Sequence, residues 1–134
     1  GIEDADHAET NPDAPRLAIT PLVCSLVGQS HPVRLVAGTR AAALYDATKA
    51  VEEYWCNYGM NPDYVRPLSH AGLTVSGVGD DGEMRIVELA DHPFYVATLF
   101  LPQKRSAPGQ PHPILAGFAV AVGGGTTMRG YSIT

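Results

Sequence analysis

Two stretches of the chain hold residue types that can do chemistry. The first, residues 51–59, reads VEEYWCNYG and places one thiol, two carboxylates and two phenols within nine positions. In a continuous strand alternate side chains share a face, which sets Glu52, Tyr54, Cys56 and Tyr58 on one side. A carboxylate and a thiol sharing a pocket have the parts of a base and a nucleophile, because burial moves their pKa values into a useful range. Cys56, Glu52 and Tyr58 are thus the candidate catalytic group, acting on a small amide, amino or carboxylate metabolite. The same run also fits a half-buried aromatic strand with Glu52 at its wet edge. The second stretch, residues 95–105, reads YVATLFLPQKR. An apolar strand ends in Leu101-Pro102-Gln103. A loop at a strand tip is a common place for catalytic side chains, yet these are an aliphatic, an imino ring and an uncharged amide. Lys104 and Arg105 follow, either as binders of an anionic ligand or as ordinary solvated cations.

Other polar residues point to structure. His92 precedes Pro93 in a turn, and His112 precedes Pro113 at a helix start. His31 and His70 read as surface residues. Cys24 and Cys56 stand far apart, and neither they nor the histidines show zinc-ligand spacing, so no metal site is expected. SGVGDDG has glycines at 77, 79 and 82 but no following helix and no Lys-Ser/Thr, so it is a hairpin and not a phosphate loop. No cofactor is expected.

The whole chain agrees with a folded domain. It has 134 residues, 45% hydrophobic and 17% charged, with a formal net charge of −5. That length buries a core without staples, and the acidic balance with no basic cluster excludes a nucleic-acid footprint. No apolar run reaches the length of about 18 residues that a membrane helix needs. Two cysteines inside apolar runs read as buried thiols of a cytoplasmic protein.

These groups must be positioned by an alternation of strands and helices. Residues 1–16 are acidic with two prolines and read as an arm or linker. Residues 17–27 hold one or two short strands, and residues 32–38 a strand ending in Gly38. Thr39 is an N-cap for a helix within 39–49. Residues 50–62 read as strand. Asn61 caps and Pro62 starts a short helix that stops at Gly72. Residues 73–100 read as three strands, the first two joined by a hairpin at Asp80-Asp81-Gly82. Residues 112–122 form a packed helix with Pro113 in its first turn, and residues 123–134 a flexible tail. The folded domain is thus residues 17–122, of α/β class.

The run NYGMNPDYVRPLSHAGLTVSGVGDDGEMRIVELADHPFYVATLF, followed by HPILAGF, resembles the carboxy-terminal half of the class I glutamine amidotransferase domain in the form found in CTP synthases. The resemblance covers roughly residues 17 to 122 and implies a flavodoxin-like layer fold. In active members of that family the last strand ends in Phe-His-Pro-Glu, with the His as base for a cysteine nucleophile and the Glu orienting it. The matching residues here are Phe100-Leu101-Pro102-Gln103. Leu101 cannot take a proton, and Gln103 cannot support an imidazolium as a carboxylate does. The family's Gly-x-Cys-x-Gly elbow has no counterpart around Cys24 or Cys56, and belongs to a region upstream of the one this chain matches. The resemblance therefore implies a degenerate triad and a binding or scaffolding role. A half-domain of a doubly wound sheet would bury its apolar face against a second copy or a separate amino-terminal half-domain.

Overall fold

The computed structural model describes residues 2–123. Apart from Gly123, the expected tail lies outside the described residues. In chain order the elements are β1 (Asp6–His7), β2 (Leu17–Pro21), β3 (Gln29–Leu35), α1 (Arg40–Tyr45), β4 (Lys49–Tyr54), β5 (Tyr58–Met60), α2 (Val65–His70), β6 (Leu73–Gly79), β7 (Met84–Leu89), β8 (Val96–Thr98) and α3 (Pro113–Val122). Short 3-10 turns at Pro62–Tyr64 and Pro102–Arg105 complete the list. Among the described residues no helix is long and apolar enough to cross a membrane.

The strands make two sheets. The smaller has the order β1-β2-β5, with β1 parallel to β2 and β2 antiparallel to β5. Part of the acidic arm over residues 1–16 therefore adds a strand to a sheet. The larger sheet has the order β4-β3-β6-β7-β8 and is antiparallel throughout. Beyond β8 an antiparallel bridge joins Phe100 to Tyr54, so the sheet curls back toward its own first edge. The expectation that this sheet must be covered on both faces, drawn from parallel sheets, does not apply. An antiparallel sheet can leave one face to water.

Local sequence explains most boundaries. The Thr39 side chain accepts from Ala42 N at 3.2 Å and starts α1. The carboxylate of Glu88, from β7, accepts from Arg40 N at 2.8 Å and Ala41 N at 3.0 Å. It satisfies N–H groups that a helix start leaves free and ties α1 to the sheet. Asn61 accepts from Asp63 N at 3.0 Å ahead of Pro62. Gly82 closes the β6–β7 hairpin at φ +83° and Gly72 ends α2 at φ +99°, backbone that L side chains avoid. β3 begins earlier than expected because its pairing with β4 runs from Gln29 opposite Tyr54. Its pairing with β6 begins only at Val33, so Pro32 is paired on one side alone. The core gathers Leu26, Val33, Leu35, Ala41, Tyr54, Ile86, Phe100 and Ile114 between the sheet and the helices. Each large side chain removed from water there contributes roughly 1.5–3 kcal/mol.

Candidate functional site

The turn after β8 is closed by backbone. Phe100 is buried, its ring centroid 5.8 Å from that of Tyr54 and 6.0 Å from that of His112. Leu101 N donates to Glu53 O at 3.0 Å, and Lys104 N donates to Leu101 O at 3.0 Å. Leu101 is half-buried and Gln103 is exposed. The two cations beside them are engaged with β4. Arg105 donates to Val51 O and stands 3.6 Å from Glu52 Oε1. Lys104 lies 3.5 Å from Glu53 and 5.2 Å from the Trp55 ring centre.

Glu52 is only 1% exposed and forms the centre of a buried polar cluster. Its Oε1 accepts from the Tyr45 hydroxyl at 2.8 Å and faces His112 Nε2 at 3.2 Å. Tyr45 and His112 also meet, at 3.1 Å. His112 Nδ1 accepts from Ile114 N at 3.2 Å and so caps α3. That bond places the neutral ring's proton on Nε2, pointing at the carboxylate. Burial first, then the hydrogen bond to Glu52, pushes the Tyr45 phenol well above its ordinary 10.0. Burial does the same to Tyr54. This cluster joins β4, α1, α3 and the turn of residues 102–105.

Cys56 belongs elsewhere. β4 ends at Tyr54 and β5 starts at Tyr58, so residues 55–57 cross from the larger sheet to the smaller one. Leu26 N donates to Cys56 O at 3.0 Å and Leu22 N to Asn57 O at 2.9 Å, which fixes the crossing. Period-two alternation holds only along an unbroken strand. Glu52 and Tyr54 therefore share the core face, while Cys56 and Tyr58 face a different space. Cys56 Sγ donates to Tyr58 O at 2.8 Å and accepts from Tyr58 N at 3.4 Å. Cys56 and Tyr58 line a cleft of about 330 Å3 with Ile19, Met60, Met84 and His7. The His7 ring centroid lies 5.0 Å from that of Tyr58. The sequence did not single out His7 or Tyr45. His7 meets Tyr58, and Tyr45 meets His112, across long stretches of chain, and no local spacing carries that signal. Among the described residues no group of three or more His, Cys, Asp or Glu side chains converges as a metal site.

No protein-family model matches the chain. It is 38% identical over 128 residues to a CTP synthase of Carboxydothermus hydrogenoformans, covering 88% of this chain and 24% of that protein. Against a CTP synthase of Methanopyrus kandleri it is 38% identical over 138 residues, covering 92% of this chain and 25% of the relative. The chain thus spans about a quarter of the length of these relatives. Among solved structures it resembles the glutaminase domain of Trypanosoma brucei CTPS with bound acivicin. The TM-score is 0.82 at 25% identity, over 92% of this chain and 53% of that one.

Proposed function

Because the chain belongs with the class I glutamine amidotransferase domains of CTP synthases and shares their fold, we propose that it is a degenerate member of that group, a binding or scaffolding module without glutaminase activity. One observation carries this. The turn after β8 is fully built, with Phe100 buried against Tyr54, yet the position matching the family's base is Leu101. Leucine has no lone pair to accept a proton, and a thiol without a base remains mostly protonated at neutral pH. Gln103, at the position of the orienting acid, carries no charge. Neither cysteine stands in a Gly-x-Cys-x-Gly elbow. Loss of one triad member already costs several orders of magnitude. The test is ammonia release from glutamine by the purified chain. No release above a protein-free blank is expected, and turnover of about 1 s−1 or faster, an ordinary enzyme rate, would overturn the proposal.

The partner that fits such a module is a segment equivalent to the rest of the glutaminase domain, or a second copy. Support comes from α3, which has no charged residue and exposes Leu115 at 39%, Phe118 at 53% and Val122 at 70%. A helix apolar on all sides is usually covered on all sides. Sedimentation at tens of micromolar is expected to show self-association, and a monodisperse monomer argues against the second copy. Two free thiols, Cys24 on the surface and Cys56 half-buried, suit the reducing cytoplasm.

A second reading makes the chain an enzyme with a reassigned pocket, and the cleft shared by Cys56, Tyr58 and His7 favours it. Glu52, facing α1 and α3, is then outside the chemistry. Iodoacetamide labelling separates the two readings. If Cys56 reacts near pH 7 much faster than a free thiol, and a metabolite extract protects it, the enzyme gains. If it stays inert until the chain unfolds, the enzyme falls.

A further inference from the structure

The smaller sheet ends at β5 and the larger at β8, and residues of both edge strands line the cleft of about 330 Å3 that holds Cys56. In an antiparallel ladder only alternate residues bond to the strand opposite. Leu22 N donates to Asn57 O at 2.9 Å and Asn61 N to Ala18 O at 2.9 Å, so the odd positions of β5 face β2. Tyr58 and Met60, opposite Pro21 and Ile19, therefore turn their N–H and C=O groups outward. Along β8, Leu99 N donates to Arg85 O at 2.9 Å, and Tyr95 O accepts from Leu89 N at 3.3 Å. Val96 and Thr98 consequently turn their backbone groups away from β7. No strand among the described residues pairs with either outer edge. The two edges part from the antiparallel bridge of Tyr54 with Phe100. The chain runs forward from Tyr54 into β5 and back from Phe100 into β8, and the cleft opens between them. Cys56 fills part of the gap, since its Sγ donates to Tyr58 O at 2.8 Å and accepts from Tyr58 N at 3.4 Å. A side chain thus takes the place of a strand partner at Tyr58.

Outward N–H and C=O groups on both sides of a slot are a template for one more strand. The slot is walled by Ile19, Met60, Met84, Ile86 and Leu99, and its one arginine, Arg85, is paired with Asp81 and Glu83. Apolar side chains therefore suit it better than charged ones. To reach β5 and β8 together, the occupant needs both of its own edges free. An edge strand of a second copy has one edge bound within its own sheet and offers only the other. We propose that the slot takes a single extended apolar peptide segment, joined to β5 and β8 by main-chain hydrogen bonds and supplied by the partner half-domain. The match covers 53% of the solved glutaminase domain, so nearly half of such a domain lies outside it and is a source for the segment. The inference rests on the reading that a separate segment completes this chain, and not on the loss of glutaminase activity.

Nitrogen-15 NMR of the full chain tests it, with a short synthetic peptide of alternating valine and threonine as the probe. The control is the same peptide N-methylated at every second residue, which blocks one of its two edges. The probe is expected to shift the Met60, Val96 and Thr98 amides together and saturably. The control is expected to bind about tenfold more weakly or worse, the scale of one or more lost hydrogen bonds. Val96→Pro deletes an outward N–H and no bond to β7, a change an edge strand tolerates, and is expected to weaken the probe by about tenfold. If that variant does not fold, the control peptide decides. No saturable shift, shifts at one edge alone, equal binding of the control, or undiminished binding by folded Val96→Pro each overturns the proposal. Self-association in sedimentation that leaves these amides unshifted keeps a partner on the chain and overturns the slot.

Discussion

The two ends of VEEYWCNYG differ more than their spacing implies. At one end Glu52 is enclosed, and its Oε1 is shared by Tyr45 and His112 with Arg105 close by. Four residues on, the Cys56 thiol bonds only to the backbone of Tyr58 and lines an open cleft. The first end uses its polar groups to hold four elements together. The second leaves a side chain where a ligand can reach it. A chemically rich stretch is thus divided between structure and access by a three-residue crossing between sheets.

The comparison is broken most directly at Glu52. Glu52→Ala leaves the Tyr45 hydroxyl, His112 and Arg105 without their shared acceptor. Removing one member of a buried charged cluster costs about 3–5 kcal/mol. Cys56→Ala, on the open side, is expected to cost about 1 kcal/mol or less. Urea unfolding of the two variants measures both, and a Cys56 cost equal to the Glu52 cost erases the distinction.

Alkaline pH sharpens the same contrast. The phenols of Tyr45 and Tyr54 sit above 10.0 in the folded chain, chiefly through burial. A raised acid favours folding while it stays protonated, so this stability is complete below pH 10 and is lost as pH rises beyond it. The slope above pH 10 is at most about 1.4 kcal/mol per pH unit for each tyrosine. Unfolding midpoints across pH 8 to 12 follow this, and a Tyr45→Phe, Tyr54→Phe double variant is expected to flatten the fall.

The two tyrosines separate from each other at neutral pH. Tyr45→Phe removes a hydroxyl that bridges Glu52 and His112 and is expected to cost about 1–2 kcal/mol. Tyr54→Phe removes a hydroxyl that lies beside the buried Arg85 guanidinium without a well-formed hydrogen bond, and is expected to change stability by less than about 1 kcal/mol. Thermal melts of the two single variants check the order, and a larger loss for Tyr54→Phe reverses the assignment of partners.

What was legible in the sequence was local. Thr39, Asn61-Pro62, Asp80-Asp81-Gly82 and Pro113 each set backbone within a few residues, and each lies at the boundary it signalled. The three strands of residues 73–100 share one sheet as expected, and the layered amidotransferase fold is borne out by its solved neighbour. The break at Trp55-Cys56-Asn57 was not legible, because those residues suit a strand as well as their neighbours do. Backbone bonds from Leu22 and Leu26 decide it, and they come from a segment about thirty residues away. The antiparallel order of the large sheet and the meeting of Glu52 with His112 are likewise long-range outcomes. They follow from packing, which no period in the sequence records.

The smallest effect expected is at the turn itself. Leu101→His with Gln103→Glu rebuilds the family's side chains in place. Leu101 is half-buried and Gln103 exposed, and the turn is held by main-chain bonds from Leu101 and Lys104 that neither change removes. Stability should therefore move by about 1 kcal/mol or less. Ammonia release should also remain at the blank. A base only raises the thiolate fraction of a thiol within hydrogen-bond reach. Cys56 bonds instead to Tyr58 at the far side of the crossing, and Cys24 lies on the exposed segment before β3. If the double variant alone gains glutaminase activity, a nucleophile does reach the turn, and the chain is one substitution pair from catalysis. If activity appears only after a separate amino-terminal half is added, the turn is sound and the missing part is the thiol.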